Sequence, residues 1–247
     1  MSNRQINIAI DAMGGEDSPL KNLKGAQIFS NKNPEVNLKF FGNKDLIKSL
    51  MKDHKIYINN YEVINCYDNV MDDDNANTIL RSRKNSSIYQ GLLFVKENKN
   101  SGFISAGNTA ALMILSRLIL GMIEGVNRPA ICSNIPNKKS YSLMMDLGAN
   151  VYVNAENLMQ FALMGYSYFS IIDPKRKPKI GLINIGTENN KGLEFLQEAH
   201  DLISNSYLKN DFLGFIEPNK ITSGNCDIIL SDGYTGNIIL KTAEGLS

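Results

Sequence analysis

The sequence predicts an α/β fold, a mainly parallel sheet covered by helices, and three observations carry that expectation. Short β-rich runs alternate with stretches of helical periodicity along the whole chain. Five expected strands end in loops that combine glycine with Asp, Asn, Ser or Thr, most leading straight into a helix. The length, 247 residues, suits a single α/β catalytic domain over 1–247, or two lobes sharing a sheet.

Taken in order, Ile6 to Asp11 reads as a first strand running into Ala12-Met13-Gly14-Gly15. A helix follows, with Ser18 as N-cap and Pro19 at its first position, and Leu20, Leu23, Ala26 and Phe29 form its apolar stripe. Val36 to Phe41 is a second strand, Asn43 caps a helix through about Lys52, and Tyr61 to Cys66 is a third strand. Tyr67 to Asn77 is polar and acidic, the pattern of a loop, and a helix is expected from about Thr78 to Asn98. Phe103 to Ala106 is a fourth strand and Thr109 to Met122 a mostly buried helix. Ala130 to Asn134 and Tyr141 to Asp146, joined by a turn without a helix, predict a local antiparallel pair. Glu156 to Ile171 is helical, Asp173 to Pro178 a linker, Lys179 to Ile185 a strand and Gly192 to Ser204 a helix. Asp227 to Ser231 is the last strand, and the final helix starts near Thr235 or Gly236. No C-cap signal ends that helix, which predicts a longer natural chain.

Composition narrows the function. A net charge of +1 gives no field that would draw nucleic acid. Lys175, Arg176, Lys177 and Lys179, and Arg81, Arg83 and Lys84 against Asp72, Asp73 and Asp74, read as solvated loops. Cys66, Cys132 and Cys226 are too scattered for a metal site or disulfide framework and suit free buried thiols in a reducing compartment. No metal and no cofactor is therefore expected. The apolar stretch from Ala110 to Leu120 is too short for a membrane span, so a soluble, cytoplasmic protein is expected.

The five loops are the expected site. They are Asp11 to Gly15, Ser105 to Thr109, Asp146 to Asn150, Asn184 to Glu188, and Ser231 to Asn237. In an open parallel sheet, ligands bind beyond the carboxyl ends of strands, and helix N-termini offer unpaired N–H groups to anions. Gly102 to Thr109 has the spacing of a phosphate-binding P-loop with Asn108 at the lysine position; this disfavours nucleotide phosphates and leaves a backbone cradle for inorganic phosphate. His54 and His200 lie in helical, charged surroundings away from any Ser or Cys motif. Chemistry without a protein nucleophile follows, with the bound anion attacking.

At these loops the sequence resembles the PlsX family of phosphate acyltransferases. The likeness rests on IAIDAMGGED at the start, SAGNTAALM at 105–113, DLGAN at 146–150, LINIGTENNKG at 182–192 and CDIILSDGYTGNIILKTAEG at 226–245. ILRSRKNSS at 79–87 is similar to a further family element. The chain departs from the family pattern at Ala110, where glycine is usual, and stops where family chains continue. The resemblance implies a three-layer α/β/α sandwich like those of isocitrate dehydrogenase and phosphotransacetylase, with a C-terminal part missing. It also implies a homodimer and peripheral association with the inner face of the membrane, while the net charge of +1 implies no nucleic-acid partner. The implied reaction converts acyl–acyl carrier protein and inorganic phosphate into acyl phosphate for phospholipid synthesis.

With that reaction in view, phosphate is expected on backbone N–H groups around Gly107 to Thr109, helped by Asn237 and Lys241, one helical turn apart. Asn108, Asn150 or nearby amides are candidates for the oxyanion donors. Asp232, Asp146 or Asp11 would orient donors or manage the proton. Arg81 and Lys84 are expected to meet phosphate or the acidic carrier protein, and Gly14, Gly15, Ser105, Gly186, Thr235 and Gly236 to line the substrate. Three alternatives stand beside this reading: a short-chain acyl-CoA enzyme, a metal-dependent dehydrogenase of related fold, and a non-catalytic carrier-protein-binding module.

Overall fold

The structure, a computed structural model, describes residues 5–68 and 82–246. The chain divides into two compact units, Met1–Gly121 and Met122–Ser247.

In the first unit, β1 (Asn7–Asp11), α1 (Leu20–Lys32), β2 (Asn37–Gly42), α2 (Lys44–Asp53), β3 (Tyr61–Asn65), α3 (Ser87–Glu97), β4 (Ser101–Ile104) and α4 (Thr109–Ile119) follow one another. The four strands pair in parallel in the order β3-β2-β1-β4. Strand periodicity sorts the core into two layers. Ile10, Leu38, Phe40 and Val63 pack under Leu23 and Ala26 of α1 and Ile47 and Met51 of α2. From the other face, Ala9 and Phe41 pack with Phe94 of α3 and Phe103, and α3 and α4 meet through Ile88, Leu92, Ala111 and Leu115.

The second unit holds β5 (Cys132–Pro136), β6 (Tyr141–Met145), α5 (Ala155–Ile172), β7 (Ile180–Ile183), α6 (Glu194–Ser204), β8 (Phe212–Ile216), a 3-10 turn (Pro218–Ser223), β9 (Ile228–Leu230) and α7 (Gly233–Leu246). Its sheet runs β5-β6-β9-β7-β8. Only β5 against β6 is antiparallel, as the helix-free turn between them predicts. The central strands β7 and β9 are buried at every residue, as expected of parallel strands covered on both faces. One face packs Leu158, Phe161, Ala162 and Phe169 of α5 and Leu196, Ala199 and Ile203 of α6. Opposite, Ile183 and Ile229 meet Ile221 of the 3-10 turn and Ile239 and Leu240 of α7. Each fully buried Leu, Ile or Phe contributes about 1.5–3 kcal/mol relative to exposure.

Several boundaries differ from expectation, each for a local reason. Pro19 is itself the N-cap of α1, while the Ser18 hydroxyl donates to Met13 O at 2.7 Å and ties the helix entry to the preceding loop. The helix expected from 78 to 98 starts before the described residues. Within them the chain turns at 83–86, where Ser86 N–H donates to Arg83 O, and Ser86 caps α3 by accepting from Tyr89 N–H at 3.3 Å. β4 begins at Ser101, so Gly102 is paired opposite Ile8 within the sheet and the loop after it holds only residues 105–108. That removes the P-loop, whose first glycine must lie in the loop itself. β8 has no counterpart in the sequence reading. Its alternation is broken at Gly214, φ 83°, where its register with β7 slips by one residue.

Candidate active site

In the first unit, a hydrogen-bonded chain joins the carboxyl ends of β1 and β4. Asp11 ends β1 and is 2% exposed. Its Oδ1 accepts from Met13 N–H at 3.1 Å, and its Oδ2 from the Ser105 hydroxyl at 2.7 Å. Ser105 Oγ accepts in turn from Gly107 N–H at 3.1 Å. The loops press together so closely that a Cβ on Gly14 would collide with Asp11 Oδ2 and stand 2.8 Å from Gly107 N. Only glycine permits that approach.

Two helices begin at this point. Asn108 caps α4, its Oδ1 accepting from Ala111 N–H at 2.8 Å, and Ser86 caps α3. Asp11, Met13, Gly14, Ser87, Ile88, Gly107 and Asn108 line a polar recess of about 20 Å³, room for one water-sized group. Asn22, on the first turn of α1, braces the recess from behind. Its Nδ2 donates to the carbonyls of Asp11 (3.1 Å), Ala12 (3.2 Å) and Gly14 (3.0 Å). Asn22 did not stand out by type or spacing, and Ser87 only as the end of the 79–87 segment. The one available signal was polarity at position 22, beside the buried Leu23 and Ala26.

The second unit gathers the loops after β6 and β9. Asp146 is wholly buried. Its Oδ1 accepts from Ile131 and Ala149 N–H, both at 3.0 Å, and its Oδ2 from Asn150 N–H (2.7 Å) and Nδ2 (2.8 Å). Asn150 O accepts from Gly233 N–H at 2.9 Å, and the Ser231 hydroxyl donates to Asp146 O at 3.1 Å. Gly236 lies against Asp146 O, where no Cβ fits. Gly148 holds φ at 119° beneath the Asn237 side chain. Asp232 caps α7 through Thr235, taking its N–H at 2.9 Å and its hydroxyl at 2.7 Å. Asn237 is half-buried and Lys241, a turn later, is exposed.

The chain matches the family described as fatty acid synthesis protein over residues 6–247. A phosphate acyltransferase of Wolbachia pipientis wMel is 42% identical over 246 residues, which cover 98% of this chain and 71% of that one. One from Clostridium tetani is 40% identical over 242 residues, 98% and 72% of the two chains. This chain belongs to the phosphate acyltransferase family. A phosphotransacetylase from Streptococcus pyogenes superimposes with a TM-score of 0.72 at 16% identity, covering 99% of this chain and 82% of that one. That likeness bears out the expected mainly parallel α/β fold. The phosphate acyltransferase family makes the protein an acyl-transferring enzyme with a role in lipid synthesis.

Within this family member, the expected site residues divide. The first unit brings together Asp11, Gly14, Ser105, Gly107 and Asn108, with Thr109 opening α4 and Gly15 packed on Ala106. The second assembles Asp146, Asn150, Asp232, Thr235, Gly236 and Asn237 in two adjoining loops. Asp146 is wholly buried, and four N–H donors, two of them from Asn150, occupy its oxygens, so it anchors this loop. Gly186 sits in a separate turn beside Glu188 and Lys191, which pair at 2.7 Å. Lys84 lies in the turn before α3, its carbonyl taken by Gln90 Nε2 at 2.7 Å. Arg81 lies outside the described residues, as do Asp72, Asp73 and Asp74. Among the described residues, no group of three or more His, Cys, Asp or Glu is placed to hold a metal ion.

Two further expectations need correction. Cys132 is exposed, whereas Cys66 and Cys226 are buried. The basic run at 175–179 is not simply solvated. Arg176 pairs with Asp173 (3.3 Å) and Asp227 (3.4 Å) over the Phe169 ring, and Lys179 with Asp211 at 3.1 Å.

Proposed function

We propose that this enzyme forms acyl phosphate from acyl–acyl carrier protein and inorganic phosphate, feeding phosphatidic acid synthesis. The observation that carries the reading is the Asp11–Ser105–Gly107 chain at the shared mouth of two helix N-termini. Such a mouth favours an anion, and the family supplies the acyl chemistry. The histidines support an attacking phosphate rather than a protein nucleophile. His54 ends α2, and His200 contacts Asp201, Phe212 and Phe215.

In this reading a phosphate oxygen attacks the thioester carbonyl, the carbon–sulfur bond breaks, and the carrier thiolate leaves and takes up a proton. The amides from Gly107 to Thr109 receive phosphate, with Asn108, Asn237 and Lys241 as the proposed donors to reacting oxygens; Asn150, whose amide hydrogens go to Asp146 and the Pro129 carbonyl, holds its own loop instead. Removing one donor to a developing oxyanion typically costs about 3 kcal/mol of transition-state stabilisation. Asp232 and Asp11 remain the proposed carboxylates for orienting donors or handling the proton. The same reading includes a homodimer in the cytoplasm, associated peripherally with the inner membrane face. No described helix is long and apolar enough to cross a membrane.

The test is phosphate-dependent cleavage of a long-chain acyl–acyl carrier protein, with hydroxylamine trapping the product and acyl-CoA assayed in parallel. Hydroxamate from the carrier-protein donor, absent without phosphate, is expected. A folded chain that yields none from that donor sinks the assignment. Equal rates from short acyl-CoA would replace the donor.

A further inference from the structure

Ser87 is the one hydroxyl-bearing residue that lines the polar recess, and the proposed reaction leaves it unused. The residue is 3% exposed and opens α3 directly after its cap. Its hydroxyl makes no hydrogen bond to the described residues. Among those residues no fully enclosed side-chain oxygen or nitrogen lacks a partner, so this hydroxyl retains a little surface; the recess that Ser87 lines is where it opens. A donor so deeply placed stays unsatisfied unless something occupies the opening.

Charge and lone pairs indicate what that occupant is. The recess holds one carboxylate, Asp11, which would repel an ordinary anion. The two helix N-termini offset it, each carrying about half an elementary charge. Asp11 accepts two hydrogen bonds from the protein. A carboxylate offers about four lone-pair sites, so acceptor capacity remains. At about 20 Å³ the recess admits a single oxygen, not a whole tetrahedral ion. An oxygen that can both accept from a hydroxyl and donate to a carboxylate is a protonated one.

We propose that the recess is a subsite for the protonated oxygen of hydrogen phosphate, with Ser87 donating to it and Asp11 accepting its proton in a hydrogen bond. Sulfate is fully deprotonated at neutral pH and can satisfy Ser87 but only repel Asp11. The subsite therefore selects phosphate over sulfate. The inference rests on the phosphate-using reaction proposed above and adds to it the residues and sign of anion selection.

Calorimetric titration of the protein with inorganic phosphate and with sulfate, alongside steady-state kinetics, tests it. Wild type is expected to bind phosphate at least roughly tenfold more tightly than sulfate, the size of one charge-assisted hydrogen bond. Ser87→Ala should weaken phosphate binding and raise its KM by about tenfold with kcat little changed. Ser87→Cys, of nearly the same volume but a weak donor, should do the same, and both should melt within a few degrees of wild type. Asp11→Asn, if folded by circular dichroism, should narrow the gap between the anions. Equal binding of the two anions by wild type, or wild-type phosphate affinity in both Ser87 variants, overturns the subsite and leaves the reaction standing. A folded wild type that binds neither anion overturns the anion site itself, and the subsite with it.

Discussion

At the scale of single residues, the site depends on atoms that only brace it. Asn22 supplies one amide group to three carbonyls. Asn22→Ala leaves those carbonyls without their donor, a loss of about 1–3 kcal/mol, and should lower the melting temperature and raise the KM for phosphate. Asn22→Asp should be worse than alanine, because a carboxylate faces three oxygens with nothing to donate. Wild-type behaviour in the Asp variant would refute the brace. Gly14→Ala should abolish turnover, since the added methyl enters the space of Asp11 Oδ2 and Gly107 N. The thiols give a third check. Burial pushes Cys66 up to about 11 and Cys226 up to about 12. In the fold both stay protonated at pH 8, while unfolded thiols ionise at about 8.5. Partial burial and the Asp146 carboxylate also raise the exposed Cys132, so aromatic disulfide reagent should react with Cys132 alone in native protein, more slowly than with all three thiols in denaturant. Native-state reaction surviving in Cys132→Ser would disprove this. Because the folded values are raised, the stability they contribute is whole below about pH 8.5 and declines as pH climbs toward the folded values.

Among the elements, caps decide where helices begin, and they were legible in the sequence to different degrees. Asn43 caps α2 as its type and position suggest, accepting from Leu46 N–H at 3.0 Å. At α5, Asn154 and Asn157 form a reciprocal capping box, so the helix starts at Ala155, one residue earlier than its periodicity indicates. Asn154→Ala should cost about 1 kcal/mol in urea unfolding and leave acyl transfer unchanged, since this cap touches neither loop cluster. The cap of α3 was not legible. A single helix was expected across 78–98, yet the polar stretch 83–86 breaks it: the Ser86 side chain and the Arg83 turn end one segment and begin the next. That displacement sets Ser87 at the recess. The last helix also starts early, at Gly233, because Asp232 captures both the amide and the hydroxyl of Thr235.

Across the whole molecule, each unit is ordered around its central strands. β1 and β2 pair on both sides in the first sheet, as do β6, β9 and β7 in the second, whereas β3, β4, β5 and β8 are edges. Hydrogen exchange at neutral pH should be slowest in β1, β2, β7 and β9 and faster along the four edges. Edge strands as slow as the central ones would contradict this strand order.

The sequence by itself determined the alternation of strands and helices, the antiparallel β5–β6 turn and the five polar glycine loops, because these are local consequences of periodicity, turn chemistry and glycine freedom. Family membership was equally legible, since it resides in the order and spacing of those loops. Only the tertiary structure decided what each loop residue does. Asp11 and Ser105 meet across 94 residues of chain, and Asp146 and Asp232 are alike in sequence yet one anchors a loop and the other caps a helix. Burial and the supply of nearby donors set those roles, and both come from segments remote in sequence.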